Sequence, residues 1–388
     1  MKARFLSVVL VAIGVMPALA QQPPLKMGMI TTLSGPAGYI GADIRDAFQL
    51  AIDLEGGKLG GVAVQPVVED DGLKPGQGKQ IADRFMKTEK IKLFTGIVFS
   101  NVAGATVPDI LDNEGIYVSP NAGPSNFAGK ECHKNYYVVS WQNDNLHESA
   151  GQTATNLGYK KAFLLALNYQ AGKDALAGFK RFFKGEIAGE IYTRLDQTDF
   201  APEMAQIRAA KPDVVFQFHP GGLGIAFLRQ FQQAALLGQV PMVVSFASMD
   251  PVIHNAVGEA AIGVIVTAHW NGDFDNPASK KFVAEFTKKY GRIPTPYASQ
   301  GYDTALAIAS ALKATNGRVE DTNAFRTAML KADFQSVRGN FKFAKNHHPI
   351  QDWWMIKVEK GADGKPVMKT ASKVLSDHAD VYGKDCKL

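Results

Sequence analysis

The sequence predicts an α/β protein made of two similar halves, each a parallel β-sheet with helices on both faces. Short apolar segments alternate with amphipathic ones along the chain, which is the pattern of repeated strand–helix units. The alternation starts again near residue 160, and a chain of 388 residues exceeds what one hydrophobic core usually holds. Both observations favour two domains of the same architecture over a single large one.

The first half begins with an apolar strand over residues 25–32 and a helix over residues 42–54. The same order continues with a strand at 62–68, a helix at 75–88, a strand at 93–98, a helix at 101–114 and a strand at 116–118. Because helices separate the strands, we expect neighbouring strands to run parallel.

The second half repeats this order. We expect strands at 162–167, 190–193, 214–218, 242–245 and 263–267, and helices at 173–184, 202–210 and 222–237. The last part of the chain differs, since two helices at 277–290 and 298–314 precede strand-like segments at 341–343 and 353–358. The sequence therefore predicts two doubly wound parallel sheets followed by a less regular C-terminal region.

Residues 1–20 have the features of a secretory signal peptide. Lys2 and Arg4 precede an apolar run over residues 5–16, which is too short to span a membrane. Pro17 ends this run, and Ala18-Leu19-Ala20 forms a small-x-small cleavage site. We therefore expect the protein to be exported and the first twenty residues to be removed.

Charge and cysteine content limit the function classes further. The formal net charge is +5 and no long basic block occurs, so nothing in the sequence indicates a nucleic-acid partner. Cys132 and Cys386 are the two cysteines of the chain. In an oxidising compartment such a pair favours one disulfide over two buried thiols.

Motifs for catalysis, cofactors or metals are missing from the sequence. Gly35, Gly38 and Gly41 have the spacing GxxGxxG, which is not the dinucleotide-binding fingerprint. His347 and His348 are adjacent, which favours a turn over a metal site. We therefore expect no catalytic residues, no cofactor and no metal, although an enzyme on an α/β scaffold stays an alternative.

The loops that follow the predicted strands are the candidate binding segments. Ligands of open α/β sheets bind beyond the carboxyl ends of the strands, and two facing sheets would place these ends across one cleft. The segments concerned are residues 33–41, 99–103, 119–124, 168–172, 218–222 and 246–250.

A series of short motifs in these segments resembles the leucine/isoleucine/valine-binding protein family of periplasmic receptors. The motifs are TLSGPAG at 32–38, EDD at 69–71, FSN at 99–101, DNEGI at 112–116, SPNAG at 119–123, NYQAG at 168–172, FHP at 218–220, GE at 258–259 and GYD at 301–303. Each motif is weak alone, but their order and spacing span nearly the whole exported chain.

The resemblance implies a type I periplasmic-binding fold, in which a three-segment hinge joins two lobes and the ligand lies between them. The crossovers would lie near Ser140, Thr267 and Ala344. Residues 25–140 with 268–343 would form lobe 1, and 141–267 with 344–388 would form lobe 2. The implied protein is a periplasmic monomer that delivers a small carboxylate ligand to the permease and ATPase of an ABC importer.

The same resemblance implies a carboxylate-binding end in the cleft. Ser100 lies between a strand and a helix, where its hydroxyl and the helix N–H groups can hold an anion, or where it can simply cap the helix. Asn121, Ala122 and Gly123 follow another strand and form either a second part of this end or a plain turn.

Aromatic residues at strand ends are expected to enclose the body of the ligand. Tyr169 is the first candidate, Trp141 and Phe218 come next, and Tyr39 and Tyr297 rank lower, since core packing is the common role of a single aromatic residue. Phe246 and the flanking residues Phe99, Asn101 and His219 complete the set of thirteen expected ligand contacts.

One departure from the family bears on the ligand. Amino-acid receptors of this family carry an acidic residue after the strand at 242–245, where this sequence has Phe246. An ammonium group buried without a counter-charge is costly, so we expect an aromatic acid of the benzoate or cinnamate type. The alternatives are a branched-chain or other apolar amino acid, and a ligand-sensing role in a signalling system.

Overall fold

The computed structural model describes residues 23–388, so the predicted signal peptide lies outside the described residues. The strands are β1 (Leu25–Thr31), β2 (Lys58–Leu59), β3 (Val62–Asp70), β4 (Leu93–Thr95), β5 (Ile116–Ser119), β6 (Tyr136–Val138), β7 (Lys161–Leu167), β8 (Glu186–Thr193), β9 (Val214–Phe218), β10 (Val243–Ser245), β11 (Ile265–Ala268), β12 (Phe341–Phe343), β13 (Pro349–Lys360) and β14 (Pro366–His378). The helices are α1 (Gly38–Leu54), α2 (Pro75–Lys87), α3 (Ser100–Asp112), α4 (Ser125–Ala128), α5 (Asn143–Asn156), α6 (Gln170–Phe182), α7 (Ala201–Ala210), α8 (Gly222–Gln233), α9 (Pro251–Val257), α10 (Pro277–Tyr290), α11 (Pro296–Thr315) and α12 (Thr322–Lys331).

The first sheet has the strand order β2-β3-β1-β4-β5-β6, and only the short β2 is antiparallel to its neighbour. Its central strand β1 is buried on both faces, as expected for a parallel sheet covered by helices. Met27 and Met29 join the core that includes Phe48 of α1, whereas Gly28 lies against Phe85 of α2 on the other face. Because these strands run parallel, their carboxyl ends lie together at one edge of the sheet.

The second sheet begins with the parallel strands β8-β7-β9. A bridge between Val215 and Met242 extends it to the parallel pair β10-β11, and β13 then adds antiparallel to β11. β12 and β14 both pair antiparallel with β13. The predicted α/β class with two parallel-sheet halves is confirmed, and the antiparallel hairpin β13–β14 is an addition to it.

The division of the chain into two lobes stays a prediction. Strand β12 lies in the segment that we assigned to lobe 1, yet it pairs with β13 of the second sheet. Its residues Phe341 and Phe343 nevertheless pack against the core of the first sheet. The strand therefore contributes to both halves.

The C-terminal tail is attached to both halves of the molecule. Cys132, in the loop before β6, forms the predicted disulfide with Cys386. Tyr382 donates a hydrogen bond of 2.7 Å to the Asp144 carboxylate on α5. The last ten residues thus connect a loop of the first sheet with a helix that packs on the second. Within residues 23–388, none of the helices is both long and apolar enough to cross a membrane.

Candidate ligand-binding site

A small cavity lies where the carboxyl ends of the strands of both sheets face each other. From the first sheet and its helices, the wall receives Ile40, Val98, Phe99, Ser100, Asn121 and Ala122. From the hinge and the second half, it receives Trp141, Asn143, Leu146, His147, Tyr169, Ala171, Phe218, Pro220 and Ala247. Tyr297 comes from α11, which packs on α1 of the first half. Each of the six loop segments that we predicted as binding segments supplies at least one of these residues.

The first turn of α3 forms the polar end of the cavity. The helix begins at Ser100, Phe99 precedes it as the capping residue, and no side chain caps its free N–H groups. Ser100 is buried, and its Oγ accepts a hydrogen bond of 3.1 Å from Asn143 Nδ2. The hydroxyl therefore does not cap its own helix, and the positive end of α3 is directed at the cavity, an arrangement suited to an anion.

Asn143 at the start of α5 holds this end together. Its Oδ1 accepts from the Gly123 N–H at 3.1 Å, and its Nδ2 also donates to the Asp174 carboxylate at 2.9 Å. A Cβ at Gly123 would lie 2.1 Å from the Trp141 carbonyl oxygen, so only glycine permits this close approach. Next to it, Asn121 donates from Nδ2 to the Val98 carbonyl at 2.6 Å.

Aromatic rings form the sides of the cavity. Tyr169 stacks on Phe218 with ring centroids 6.2 Å apart and planes within 8°, and Phe99 lies 6.3 Å from Tyr169. Trp141 and Tyr297 form another ring pair of the wall, with centroids 6.5 Å apart. Rings in this arrangement offer flat apolar surfaces to a ligand.

Phe246 supports this aromatic wall from behind. It is the first residue after β10, it is fully buried, and it does not line the cavity itself. Its ring lies 5.1 Å from those of both Trp141 and Tyr297. The position after β10 is thus filled with an aromatic ring that fixes two wall residues.

Hydrogen bonds also join the two halves at other points across the cleft. Asp174 of α6 accepts hydrogen bonds from the backbone N–H and the hydroxyl of Ser125, at 3.1 and 2.7 Å. Tyr39 donates to Asp250 at 2.5 Å, and the Gly222 N–H donates to the Pro36 carbonyl at 3.1 Å. The cleft is therefore closed in this structure.

Both carboxylates in these contacts are easier to protonate than usual. Burial and the nearby Asp144 charge raise the pKa of Asp174 to about 6, despite its hydrogen bonds with Ser125 and Asn143. Burial raises the pKa of Asp250 to about 7, although Tyr39 and two N–H groups of α9 donate to it. Removal of a carboxylate from water disfavours its charged form.

The other predicted contacts lie outside the cavity wall. His219 is enclosed in the core, where its ring nitrogens lie 2.9 Å from Thr193 Oγ1 and 2.8 Å from Gln217 Oε1. Asn101, Gly123 and Tyr39 do not line the cavity, although Tyr39 packs edge-on against Tyr297. The structure thus brings eight of the thirteen predicted contacts to the wall: Phe99, Ser100, Asn121, Ala122, Trp141, Tyr169, Phe218 and Tyr297.

Sequence reasoning missed the contribution of α5. Asn143, Leu146 and His147 line the cavity from one face of this helix, which the sequence analysis did not predict. Their spacing of three and four residues was visible, but the surrounding residues are polar and give no apolar periodicity.

The cavity wall contains no Asp, Glu, Lys or Arg among the described residues. Its polar groups are hydroxyls, amides, one imidazole and the N–H groups at the start of α3. Within residues 23–388, no group of three or more His, Cys, Asp or Glu side chains is arranged to hold a metal ion. The arrangement can bind and enclose a small, mainly apolar molecule with one anionic end.

Comparisons with known proteins agree with this geometry. The family model described as periplasmic binding protein matches residues 24–365. A Leu/Ile/Val-binding protein homolog of Brucella melitensis is 28% identical over 356 residues, which cover 88% of this chain and 89% of the relative.

Solved structures of similar proteins match over most of their length. A solute-binding protein of an ABC transporter from Rhodopseudomonas palustris, in complex with benzoate, is 30% identical, with a TM-score of 0.89 over 94% of this chain and 100% of the other. Another from the same species, in complex with 3,4-dihydroxybenzoic acid, is 28% identical, with a TM-score of 0.84 over 92% and 99% of the two chains. As the sequence predicted, this chain belongs to the periplasmic binding protein family with the type I fold, and it is a solute-binding protein of an ABC transporter rather than an enzyme.

Proposed function

We propose that the protein captures an aromatic carboxylate in its interlobe cavity and delivers it to an ABC importer. The observation that carries this proposal is the absence of any acidic side chain from the described cavity wall, together with the ring of Phe246 where β10 ends. An α-ammonium group would have no counter-charge there, and an unpaired buried charge is strongly disfavoured.

The polar end of the cavity supports a carboxylate as the anionic group. The hydroxyl of Ser100 and the uncapped N–H groups of α3 offer hydrogen bonds to an anion without any basic side chain. In the same cavity wall, the stacked pair of Tyr169 and Phe218 offers a flat surface that suits an aromatic ring.

The comparisons support two ligand classes. The similar solved structures contain benzoate and 3,4-dihydroxybenzoic acid, whereas the curated relatives are named Leu/Ile/Val-binding homologs. The lack of a counter-charge for an ammonium group favours the first class.

The cellular setting follows from the family. Its members are periplasmic and act with membrane components of a transporter. We further propose that export uses residues 1–20 as a cleaved signal peptide, that the protein is a monomer, and that a permease and an ATPase are its partners.

The test compares acids with their matching amino acids. We expect phenylpropionate to bind at least about a hundredfold more tightly than phenylalanine, because the two differ mainly by the ammonium group. Benzoate and leucine extend the comparison to both ligand classes. The measurement is calorimetric titration of protein that has been unfolded, dialysed and refolded to remove carried-over ligand.

A methyl ester of the tightest acid is the matched control. It keeps the ring and removes the negative charge, so we expect its binding to be lost or strongly weakened. Tight binding of leucine or phenylalanine with no binding of the acids would overturn the proposal in favour of a hydrophobic amino acid.

That second candidate rests on one specific observation. Asp250 is a fully buried carboxylate that forms no ion pair within residues 23–388, and it is hydrogen-bonded to Tyr39, whose ring packs against the wall residue Tyr297. If an amino acid binds with its ammonium group near Asp250, Asp250→Asn should abolish that binding.

A further inference from the structure

His147 is a buried imidazole in the cavity wall whose Nδ1 is not used by the protein fold. Only 1% of its surface is exposed, and Nδ1 has no hydrogen-bond partner within residues 23–388. Its ring lies 4.7 Å from Phe218 and 5.5 Å from Phe216, both edge to face. Buried ring nitrogens of His254, His269 and His348 also lack a partner among the described residues, but those histidines lie outside the cavity wall. His147 is the histidine of the wall, so its imidazole is the one that a ligand can contact, and a hydrogen bond from the ligand would offset the cost of its burial.

A second buried histidine in the same half has an imidazole that the protein itself satisfies. His219 lies between Phe200 and Phe227, and both of its ring nitrogens have side-chain partners, Thr193 and Gln217. The two histidines are equally buried, but only His147 lines the cavity and keeps a free ring nitrogen.

Burial also fixes the chemistry of His147. It lowers the pKa of the imidazole to about 3, so the ring is neutral at physiological pH. A neutral imidazole has one N–H donor and one acceptor nitrogen. It suits a hydroxyl group, which can both donate and accept, better than it suits a carboxylate.

The position of His147 on α5 sets its distance from the carboxylate end. Asn143, four residues earlier on the same face, is bonded to Ser100 at the start of α3. Four residues of α-helix rise about 6 Å. This is comparable to the length of one aromatic ring between its carboxylate and a substituent on the far side.

We infer that His147 hydrogen-bonds a hydroxyl group on the ligand's aromatic ring, at a carbon remote from the carboxylate, and that the site therefore prefers hydroxylated aromatic acids to unsubstituted ones. The inference rests on the proposed function, since it assumes that a carboxylate lies at Ser100. It adds to the proposed function a narrower ligand class, because Ser100 would bind the carboxylate and His147 the ring hydroxyl of the same molecule.

The experiment uses four probes on the full-length exported protein. Benzoate, 2-hydroxybenzoate, 3-hydroxybenzoate and 4-hydroxybenzoate are titrated calorimetrically under the same conditions. We expect the better of the 3- and 4-isomers to bind at least about tenfold more tightly than benzoate. The 2-isomer carries its hydroxyl beside the carboxylate, out of reach of His147, and should gain nothing over benzoate.

Three variants assign the preference to the imidazole. His147→Phe keeps a ring between Phe216 and Phe218. In this variant the better hydroxybenzoate isomer should bind no more than about threefold more tightly than benzoate. His147→Gln retains a donor and an acceptor and should keep part of the preference. His254→Gln, at a buried histidine outside the cavity wall, is the matched control and should leave the ratio unchanged.

The outcomes separate this inference from the proposed function. Equal binding of all four acids by the unmodified protein, or a preference that His147→Phe leaves intact, overturns the inference and leaves the proposed function standing. Equal loss of all four acids in a folded His147→Phe protein makes His147 a carboxylate partner and also overturns it. Failure of the unmodified protein to bind any of the acids refutes both.

Discussion

Helices α3 and α5 begin within hydrogen-bonding distance of each other, but they differ in whether the protein itself provides partners for the polar groups of their first turns. α3 carries no charge in its first turn and no side-chain cap, and its Ser100 hydroxyl faces the cavity. α5 is capped by the Gln142 side chain and buries two carboxylates, Asp144 and Glu148, within its first two turns.

The buried carboxylates of α5 are satisfied by the protein itself. Arg181 of α6 pairs with Asp144 at 2.8 Å and also with Glu148. His378 lies 2.5 Å from Glu148, and Tyr382 donates to Asp144. Burial would raise the pKa of Glu148, but His378 and Arg181 lower it below its usual value.

The contrast separates polar groups that hold the fold from polar groups that are left for a ligand. A buried charge with several partners stabilises one arrangement of helices, whereas an uncapped helix end keeps its hydrogen-bonding capacity for an anion. Substitutions that remove a partner of the α5 carboxylates should therefore affect stability, whereas substitutions of Ser100 should affect ligand affinity.

The largest effect on stability is expected from substitution of Arg181, which forms ion pairs with the two α5 carboxylates. Arg181→Met leaves Asp144 and Glu148 buried with fewer partners, so we expect a loss of about 2–4 kcal/mol in the free energy of unfolding. The arginine is 29% exposed, which limits the cost. Denaturant unfolding measures it.

Arg208 offers the matched control, because it is an exposed arginine bonded only to a backbone carbonyl. Arg208→Met should cost less than about 1 kcal/mol. Equal stability of the two variants would mean that the α5 carboxylates do not depend on Arg181.

A smaller effect is expected at Ser100, and in a different property. Ser100→Ala removes one hydrogen bond to the ligand carboxylate but leaves the N–H groups of α3, so we expect affinity to fall by about 1–3 kcal/mol. Thermal unfolding of the free protein should change little. Calorimetric titration with the tightest acid measures the loss.

Ser299→Ala is the control for this substitution. Ser299 is also buried in a helix, but its hydroxyl donates to the Pro296 carbonyl away from the cavity. If Ser299→Ala weakens binding as much as Ser100→Ala does, the α3 end is not the anion site.

The smallest effect concerns the contact between Tyr39 and Asp250. The pKa of Asp250 is raised to about 7, so between about pH 4 and pH 7 the folded protein holds a proton that the unfolded chain has lost. This contribution to stability is present at low pH and is lost as the pH rises through about 7. We expect the free energy of unfolding to fall by about 2 kcal/mol between pH 5 and pH 7, as measured by denaturant unfolding.

Asp250→Asn isolates this contribution from those of other carboxylates. Asparagine keeps the cap on α9 and does not titrate, so the variant should show a flatter dependence of stability on pH. An unchanged pH dependence would show that Asp250 is charged over the whole range.

The same two helices show what sequence patterns predict and what they do not. α3 follows an apolar strand and carries small and apolar residues at helical spacing, so its existence and its start beside Ser100 were predictable. α5 is buried on most sides although its sequence is polar, because its side chains pair with Arg181, His378 and Tyr382. Those partners come from distant parts of the chain, and no local pattern identifies them.

The cavity follows the same rule. Ser100, Tyr169 and Phe218 lie directly after strands, where the geometry of parallel sheets predicts a site. His219 occupies a similar position, yet its side chain points to the core, because one residue along a strand end changes the face. The place of His147 in the cavity wall could not be predicted from the sequence, since it depends on a helix that was not predicted.

The disulfide of the C-terminal tail can form only late, because it joins two distant parts of the chain. Cys132 and Cys386 are 254 residues apart, so in an oxidising compartment the bond forms only once nearly the whole chain is present there. Until then Cys132 is a free thiol without its native partner, open to exchange with other thiols. Closure of this bond is therefore a late step of folding that requires the chain up to residue 386.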